Sequence, residues 1–354
     1  MAEIRFPGAS LWIERDGVHA AHHRGKRTDQ VDAAAIDANT IFDVASLTKV
    51  IVTATAVQLL IDEGKLAMDE RLAELLPACA GGRRDAITLA HMLTHSSGLP
   101  AGIAAKPAWS GKEEALRRAC ALSPADAPGT AFRYSDVNFI LLGAIVERVS
   151  GESLDTFAHR RIFAPLGMTK SGYRPLTRFT AIEIAPTQRI PADANATLHI
   201  DLAPGTELAG VVHDPTARFM GGVAGHAGLF STAEDLARFA RMLLADGVVD
   251  GRRFLSRAAV ERLTTVQSPP SVKEKRSAGW DIDSPYSRPR GTQFSTASLG
   301  HTGFTGCAIW IDPASNAFYV LLTNRVYPDD KSVILPLYSE MGTLAAQALG
   351  IAAR

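Results

Sequence analysis

The uncharged run Val50-Ile51-Val52-Thr53-Ala54-Thr55-Ala56-Val57-Gln58-Leu59-Leu60-Ile61 constrains this chain more than any other stretch. A helix apolar on all sides must be enclosed by the rest of the molecule. Thr53, Thr55 and Gln58 interrupt it, so it reads as a buried core helix and not as a membrane span. Its end is signalled at Glu63-Gly64, where glycine suits the position after a helix C-terminus. Whatever opens this helix is therefore held rigidly, and what opens it is Ser46-Leu47-Thr48-Lys49. Residues three apart share a helix face, which sets Lys49 above Ser46. Free backbone N–H groups and the helix dipole favour negative charge at Ser46. A serine hydroxyl is a weak nucleophile until a neighbouring base takes its proton, and a partly desolvated lysine has that capacity. Standing alone, Ser-x-x-Lys also has an ordinary meaning, a capping serine followed by a surface lysine.

Both ends of the chain read as sheet. Ala9-Ser10-Leu11-Trp12-Ile13-Glu14-Arg15-Asp16-Gly17-Val18 predicts a hairpin with its turn at Asp16-Gly17. Cys307-Ala308-Ile309-Trp310-Ile311 and Phe318-Tyr319-Val320-Leu321-Leu322 predict a second, and 333–348 has helical periodicity. First and last segments are expected to share one antiparallel sheet, covered by the Ser46 helix and the C-terminal helix. Between them the signals are mostly helical. An amphipathic stretch over 137–149 stops at Ser150-Gly151, and Ser153 caps a helix through Ile162. Ser231 with Glu234 forms a capping box opening a helix to about Ala245, and Ser256 caps another to about Leu263. Residues 267–290, rich in Pro, Ser and charge, read as a loop crossing back to the sheet. The expected class is α+β: an antiparallel sheet flanked by helices (1–64 and 285–354) with an inserted mostly helical region (65–284). The site then falls in the cleft between them.

Composition bounds the partners. With 354 residues the chain builds a sizeable core, and a net charge of +0 gives no bulk attraction to nucleic acid or membranes. Cys79, Cys120 and Cys307 are too few and too scattered for a disulfide framework or a cysteine zinc site, and they suit a reducing compartment. The start, Met1-Ala2-Glu3-Ile4-Arg5-Phe6-Pro7-Gly8, lacks an apolar signal core. The expectation is cytoplasmic if Met1 is the native start, periplasmic or secreted if a signal peptide has been removed.

Two further segments give Ser46 and Lys49 company: Phe132-Arg133-Tyr134-Ser135-Asp136-Val137-Asn138-Phe139 and Gly300-His301-Thr302-Gly303-Phe304-Thr305-Gly306. The three motifs, in this order, resemble the serine penicillin-recognising family. Within it the chain resembles the class C β-lactamase branch, which also holds D,D-peptidases, D-amino-acid peptidases and esterases. Tyr134-Ser135-Asp136 is similar to the branch's Tyr-x-Asn element and His301-Thr302-Gly303 to its Lys/His-Thr-Gly strand. The likeness runs nearly end to end, through Phe42-Asp43-Val44-Ala45, residues 88–100 and residues 228–236. It implies an acyl-enzyme on Ser46, with Lys49 and Tyr134 handling the proton and the choice of base left open. It also implies an oxyanion hole from the backbone N–H groups of Ser46 and Phe304. Substrate would lie along His301, Thr302 and Gly303, with His301 offering a weak, pH-dependent positive charge to a carboxylate. Gly303 would let a substrate strand approach the backbone.

Asp136 departs from the pattern. Where the usual Asn donates an amide proton, an ionised Asp only accepts. It either pairs with Lys49, binds a cationic group or holds its loop, and it argues against efficient β-lactam turnover. His213, Asp214 and His226, in Val211-Val212-His213-Asp214-Pro215 and Gly225-His226-Ala227-Gly228, read as substrate wall, metal site or plain loop. His91 and His95 lack a third ligand and read as structural. No metal or cofactor is expected. No Gly-x-Ser-x-Gly elbow is present, which removes an α/β-hydrolase. The expected function is a serine hydrolase of esters or D-amino-acid-containing peptides, with small-molecule ester, peptide or β-lactam partners and β-lactamase activity weak at most. The alternative is a catalytically silent binding or sensor module.

Overall fold

The computed structural model describes residues 6–191 and 203–352; Met1, on which the reading of the chain start rests, lies outside them. A seven-stranded antiparallel sheet carries the molecule. In chain order its strands are β1 (Gly8–Arg15), β2 (Val18–Gly25), β3 (Lys275–Arg276), β4 (Asp281–Asp283), β5 (Leu299–Gly303), β6 (Cys307–Asp312) and β7 (Ala317–Thr323). They lie in the order β2-β1-β7-β6-β5-β4-β3. The N-terminal hairpin turns at Asp16 (φ 52) and Gly17 (φ 79), two left-handed residues that match the twist of the flanking strands. β1 then pairs with β7 from Ala9↔Thr323 to Arg15↔Ala317, so the two ends of the chain do share one sheet.

Alternation along β7 decides what covers each face. Phe318, Val320 and Leu322, with Trp12, Ile309 and Ile311, join the core that holds Val50, Ile51 and Val57 of the Ser46 helix. Ala317, Tyr319 and Leu321 point the other way, with Ile13 and Trp310, onto Tyr338, Ala345 and Ala346 of the C-terminal helix Leu335–Ala348. The Ser46 helix runs through a wide π-helical segment, Lys49–Ala54, and continues as an α-helix over Thr55–Asp62. Every residue from Lys49 to Leu60 is buried, as the uncharged run requires. The helix Asp136–Ser150 ends on left-handed Gly151 (φ 73). No helix among the described residues is long and apolar enough to cross a membrane.

Three expectations are corrected. The stretch 267–290 is not simply a loop, since it supplies β3 and β4. Strands of two and three residues are too short to print an alternating pattern, and Lys275/Arg276 carries a bulge that blurs it further. The helix over Ala233–Leu244 is capped by Thr232, whose side chain accepts from Asp235 N, and not by Ser231. Ser231 is instead in a short strand opposite Phe42.

Third, Cys79 and Cys120 are bonded, linking the Pro77–Cys79 turn to the helix Lys112–Ala121, while Cys307 is free and buried. Their separation of 41 residues gave no hint that packing would bring them together. Cys120→Ser is expected to lower the unfolding free energy by about 2–4 kcal/mol, the range for closing a loop of this size. Denaturant melts of both proteins check this. Thiol titration of the unfolded wild type should find only Cys307 before reduction and all three cysteines after it.

Candidate active site

Ser46 sits at a turn forced by its neighbours. Among residues 41–50 it alone is not buried. Ala45, just before it, has φ 46, a left-handed conformation that costs a non-glycine residue about 1–3 kcal/mol and persists only where its surroundings impose it. The imposing contacts can be named. Val44 N donates to Leu229 O (3.1 Å), and Ala45 N donates to Asp43 Oδ1 (2.9 Å). Thr305 Oγ1 donates to Asp43 O at 2.7 Å, tying the turn after β5 to the Ser46 turn. Gly303 is required by the same contact, because a Cβ there would stand 2.4 Å from Val44 O. The close approach is thus to the Ser46 turn itself.

Asp43 also accepts from His213 N through Oδ2 at 2.7 Å, so one buried carboxylate clips the Ser46 turn to the 211–214 loop. Burial pushes its carboxyl up to about 6, against the pull of those backbone N–H groups. For the fold, a carboxyl raised from 3.8 favours acid: its contribution is full below about pH 4 and is lost as pH rises through about 6. Activity runs the opposite way, since only the carboxylate accepts from both N–H groups. Ester turnover is expected to fall below about pH 6, and Asp43→Asn, which turns one acceptor into a donor, to lower kcat at every pH and erase that limb. A pH–rate profile of both proteins measures it.

Lys49 is fully buried, and its Nζ meets Ser46 Oγ at 2.8 Å, His226 O at 3.0 Å and Asp136 Oδ1 at 2.7 Å. Three N–H bonds thus face three acceptors. Burial alone would lower the Lys49 pKa, but the charge of Asp136, with Tyr134 beside it, raises it above the ordinary lysine value. The carbonyl of His226 reaches Lys49 because Gly225 packs on the helix Asp136–Ser150, where a Cβ would lie 2.0 Å from Phe139 O. Thr53 Oγ1 fastens the same loop by donating to Gly225 O at 2.6 Å.

Ser135 caps that helix, its Oγ accepting from Asn138 N (3.4 Å) while donating to Pro100 O. The cap leaves Tyr134 outside the helix and Asp136 in its first turn, where the dipole favours a carboxylate. The ammonium of Lys49 lies 5.1 Å from the centroid of the Tyr134 ring. Beneath Tyr134, His95 stacks at 4.4 Å and accepts from Ser135 N at 3.0 Å through Nδ1. Burial, then Arg276 and Lys49, hold the His95 pKa well below the usual histidine range, so it is neutral. His95 is structural, as its sequence context suggested, but the structure it supports is the floor under Tyr134.

His301 and Thr302 lie on β5 with Gly303. His301 Nδ1 sits 2.8 Å from Thr302 O, which assigns it the proton and leaves Nε2 as an acceptor. Burial, reinforced by Arg276 and Lys49, puts its pKa well below the usual range, so this imidazole is neutral at physiological pH. The expected pH-dependent charge for a carboxylate is therefore not supplied by His301. Phe304 is exposed, its ring stacked on His213 (5.6 Å) and under the Arg325 guanidinium (4.8 Å). Arg325 Nε also donates to Phe304 O at 3.2 Å. Neither Ser46 N nor Phe304 N donates to a backbone acceptor among the described residues.

These side chains open on a cavity of about 180 Å³ lined by Ser46, Tyr134, Arg276, Asp281, Tyr286, His301, Thr302 and Phe304. Sequence reasoning missed Arg276, Asp281 and Tyr286. Arg276 and Asp281 form a buried ion pair (3.1 Å) that joins β3 to β4 at the cleft. Asp281 further accepts from Ser284 and Ser287, and the Tyr286 ring lies 5.6 Å from that of Tyr134.

Of the second cluster, Asp214 caps Pro215–Phe219 by accepting from Ala217 N (2.7 Å) and pairs with His226 Nε2 at 2.9 Å. Burial would raise the Asp214 carboxyl, but His226 holds it well below the usual range. Burial pushes the pKa of His213 to about 4. Asp136, Asp214 and His226 bring ligand atoms within 4.8 Å of one another, but Asp136 is already paired with the Lys49 ammonium. A second cation there would face that ammonium directly, so the arrangement is an ionic network continuous with Lys49.

Residues 1–338 match the Beta-lactamase family model, and the chain belongs to that family. It is 33% identical over 349 residues to a putative D-alanyl-D-alanine carboxypeptidase of Escherichia coli (strain K12), covering 91% of this chain and 79% of the relative. It is 31% identical over 344 residues to an N-acetylmuramyl-L-alanine amidase of Bacillus subtilis (strain 168), covering 90% and 77%. A class C beta-lactamase structure superposes with a TM-score of 0.70 at 20% identity, covering 96% of this chain and 91% of the other, which is a likeness of fold.

Proposed function

We propose that this protein is a serine hydrolase that cleaves esters or amides of D-amino-acid-containing peptides through an acyl-enzyme on Ser46. The observation that carries the reading is Lys49 Nζ 2.8 Å from Ser46 Oγ at the cleft mouth. Ser46 Oγ attacks the carbonyl carbon and an O–C bond forms. The C–O or C–N bond to the leaving group breaks, and that group departs with a proton. Water then attacks the acyl-enzyme, releasing the acid and returning the proton to Ser46. The N–H groups of Ser46 and Phe304 hold the oxyanion.

Because Asp136 keeps Lys49 an ammonium already donating to Ser46 Oγ, Tyr134 is the group that relays the serine proton to the leaving group. His301, through its Nε2 acceptor, supplies a substrate contact beside the buried Arg276–Asp281 ion pair that lines the same cleft. The names of the carboxypeptidase and amidase relatives support an amide substrate. The bond between Cys79 and Cys120 supports residence in an oxidising compartment.

The test is a panel of p-nitrophenyl butyrate, a peptide ending in D-Ala-D-Ala and nitrocefin. Turnover of the ester and the peptide, with nitrocefin slowest, is expected; nitrocefin as the best substrate contradicts the reading. Since Asp136 is occupied by Lys49 and has no proton to donate, Asp136→Asn should speed nitrocefin acylation about tenfold, the value of one net hydrogen bond of ~1.4 kcal/mol. Stopped-flow absorbance checks it.

A further inference from the structure

Tyr286 is a large ring left half open to solvent (47% exposed) on the cavity that Ser46 lines. Its ring leans on Tyr134 (centroids 5.6 Å apart, planes at 30°) and on Phe132 (6.0 Å, 65°). Aromatic area kept in water is unfavourable, and covering it with an apolar group recovers that energy. The loop that carries the ring is held from inside the protein. Buried Asp281 accepts from Ser284 Oγ through Oδ1 and from Ser287 Oγ through Oδ2, both at 2.5 Å. Ser284 N then donates to Ser287 Oγ (2.9 Å), and Tyr286 N donates to Ser284 Oγ (3.1 Å). One carboxylate therefore fixes where the Tyr286 ring stands. The charges around it are answered within the protein. Arg276 pairs with Asp281 and gives Nη2 to Gly279 O (2.8 Å), and Lys49 pairs with Asp136. Arg325, over the Phe304 ring, gives Nη1 to Asp330 (2.7 Å), and the His301 imidazole is neutral. A carboxylate entering this cleft would lose its hydration and meet no unpaired cation among the described lining residues.

We propose that Tyr286 is a specificity-determining residue whose ring packs on an uncharged, apolar leaving group of the substrate. The inference rests on the serine hydrolase reading and deepens it. In that reading Tyr134 hands the serine proton to the leaving group, so the departing atom lies beside Tyr134 and the rest of that group reaches the ring next to it. The substrate class is then an ester or amide whose leaving side carries an apolar side chain and no free carboxylate, such as an internal peptide bond or a carboxamide.

The test compares kcat/KM for acetyl-D-Ala-D-Phe-amide, acetyl-D-Ala-D-Ala-amide and acetyl-D-Ala-D-Ala with its free carboxylate. The D-Phe amide is expected to exceed the D-Ala amide about tenfold, the scale of one ring packed on another, and the D-Ala amide to exceed the free acid at least tenfold. Tyr286→Ser should bring the ratio of the two amides close to one, while Tyr286→Phe keeps it; a merely structural role would lower both amides together and leave the ratio unchanged. Calorimetric binding of acetyl-D-Ala-D-Phe-amide and acetyl-D-Ala-D-Phe to Ser46→Ala reads the same preference without turnover, with the amide at least tenfold tighter and Tyr286→Ser in that background weakening it about tenfold. If no peptide is cleaved but this binding order holds, the peptide hydrolase reading fails and the role of Tyr286 stands. A free acid cleaved or bound as well as its amide, or an amide ratio untouched by Tyr286→Ser, would overturn the proposal.

Discussion

Ser46→Ala is expected to lower turnover of p-nitrophenyl butyrate by about 10⁴-fold or more, with folding intact. The size follows from how nucleophile and partner act as a unit: losing the nucleophile alone removes nearly all the chemistry the set supplies. The side chain costs the fold little, because it is the one residue of 41–50 that is not buried. Among the described residues its hydroxyl makes one hydrogen bond, the one it accepts from Lys49 at 2.8 Å. The strain at Ala45 (φ 46) is maintained by Asp43 and its partners, so the turn survives the substitution. The variant should therefore melt like wild type and still bind ligands in the cleft. Steady-state rates beside thermal melts separate this outcome from simple unfolding.

Lys49→Met is the second large effect, expected to reduce kcat about 10²- to 10⁴-fold, the scale of lost proton-transfer assistance. Methionine keeps most of the volume of the buried stem while removing the charge. Ser46 Oγ then loses its donor, and Tyr134 the ammonium that lies 5.1 Å from its ring centroid. Asp136 loses its partner at 2.7 Å, and although its side chain is about one-third exposed (33%), the Oδ1 that faced Lys49 is buried. Some stability is therefore lost with the ion pair, but the melting temperature should fall by less than the rate loss would imply, because the rest of that carboxylate keeps its contact with water. A proportionate loss of stability and rate would instead make Lys49 a packing residue. Kinetics and melts on the same preparation decide between them.

Much of this arrangement was legible in the sequence where local chemistry dictates it. Asp16-Gly17 can hardly avoid a left-handed turn between two alternating strands. The uncharged run after Lys49 had to be enclosed, which fixed Ser46 and Lys49 to the end of a core helix. Ser135 announced a helix start, and with it the placing of Tyr134 and Asp136. What stayed hidden depends on tertiary partners. Ser231 and Thr232 are both competent caps, and only the pairing of Ser231 with Phe42 selects Thr232. Arg276 and Asp281 sit in a polar stretch whose composition reads as solvent-exposed, yet they are 1% and 2% exposed because each neutralises the other. The Cys79–Cys120 bond joins segments that nothing local brings together. Histidine identity on β5 was visible, whereas its neutrality follows from Arg276 and Lys49 nearby.

Gly303 shows how the two levels meet. Its place in a His-Thr-Gly strand was evident, and the reason first at hand was room for substrate. The packing gives a reason inside the protein, a Cβ 2.4 Å from the Val44 carbonyl, at the turn that carries Ser46. The strand that borders the cleft and the turn that bears Ser46 are in this way built as one rigid contact, which is what a preorganised oxyanion site demands.

The most direct measurement is mass spectrometry of the enzyme acid-quenched during turnover of p-nitrophenyl butyrate, followed by peptide mapping. The account predicts a butyryl group on the peptide containing Ser46, absent from Ser46→Ala. A butyryl group on any other residue, or the same labelling and turnover in Ser46→Ala, would contradict it.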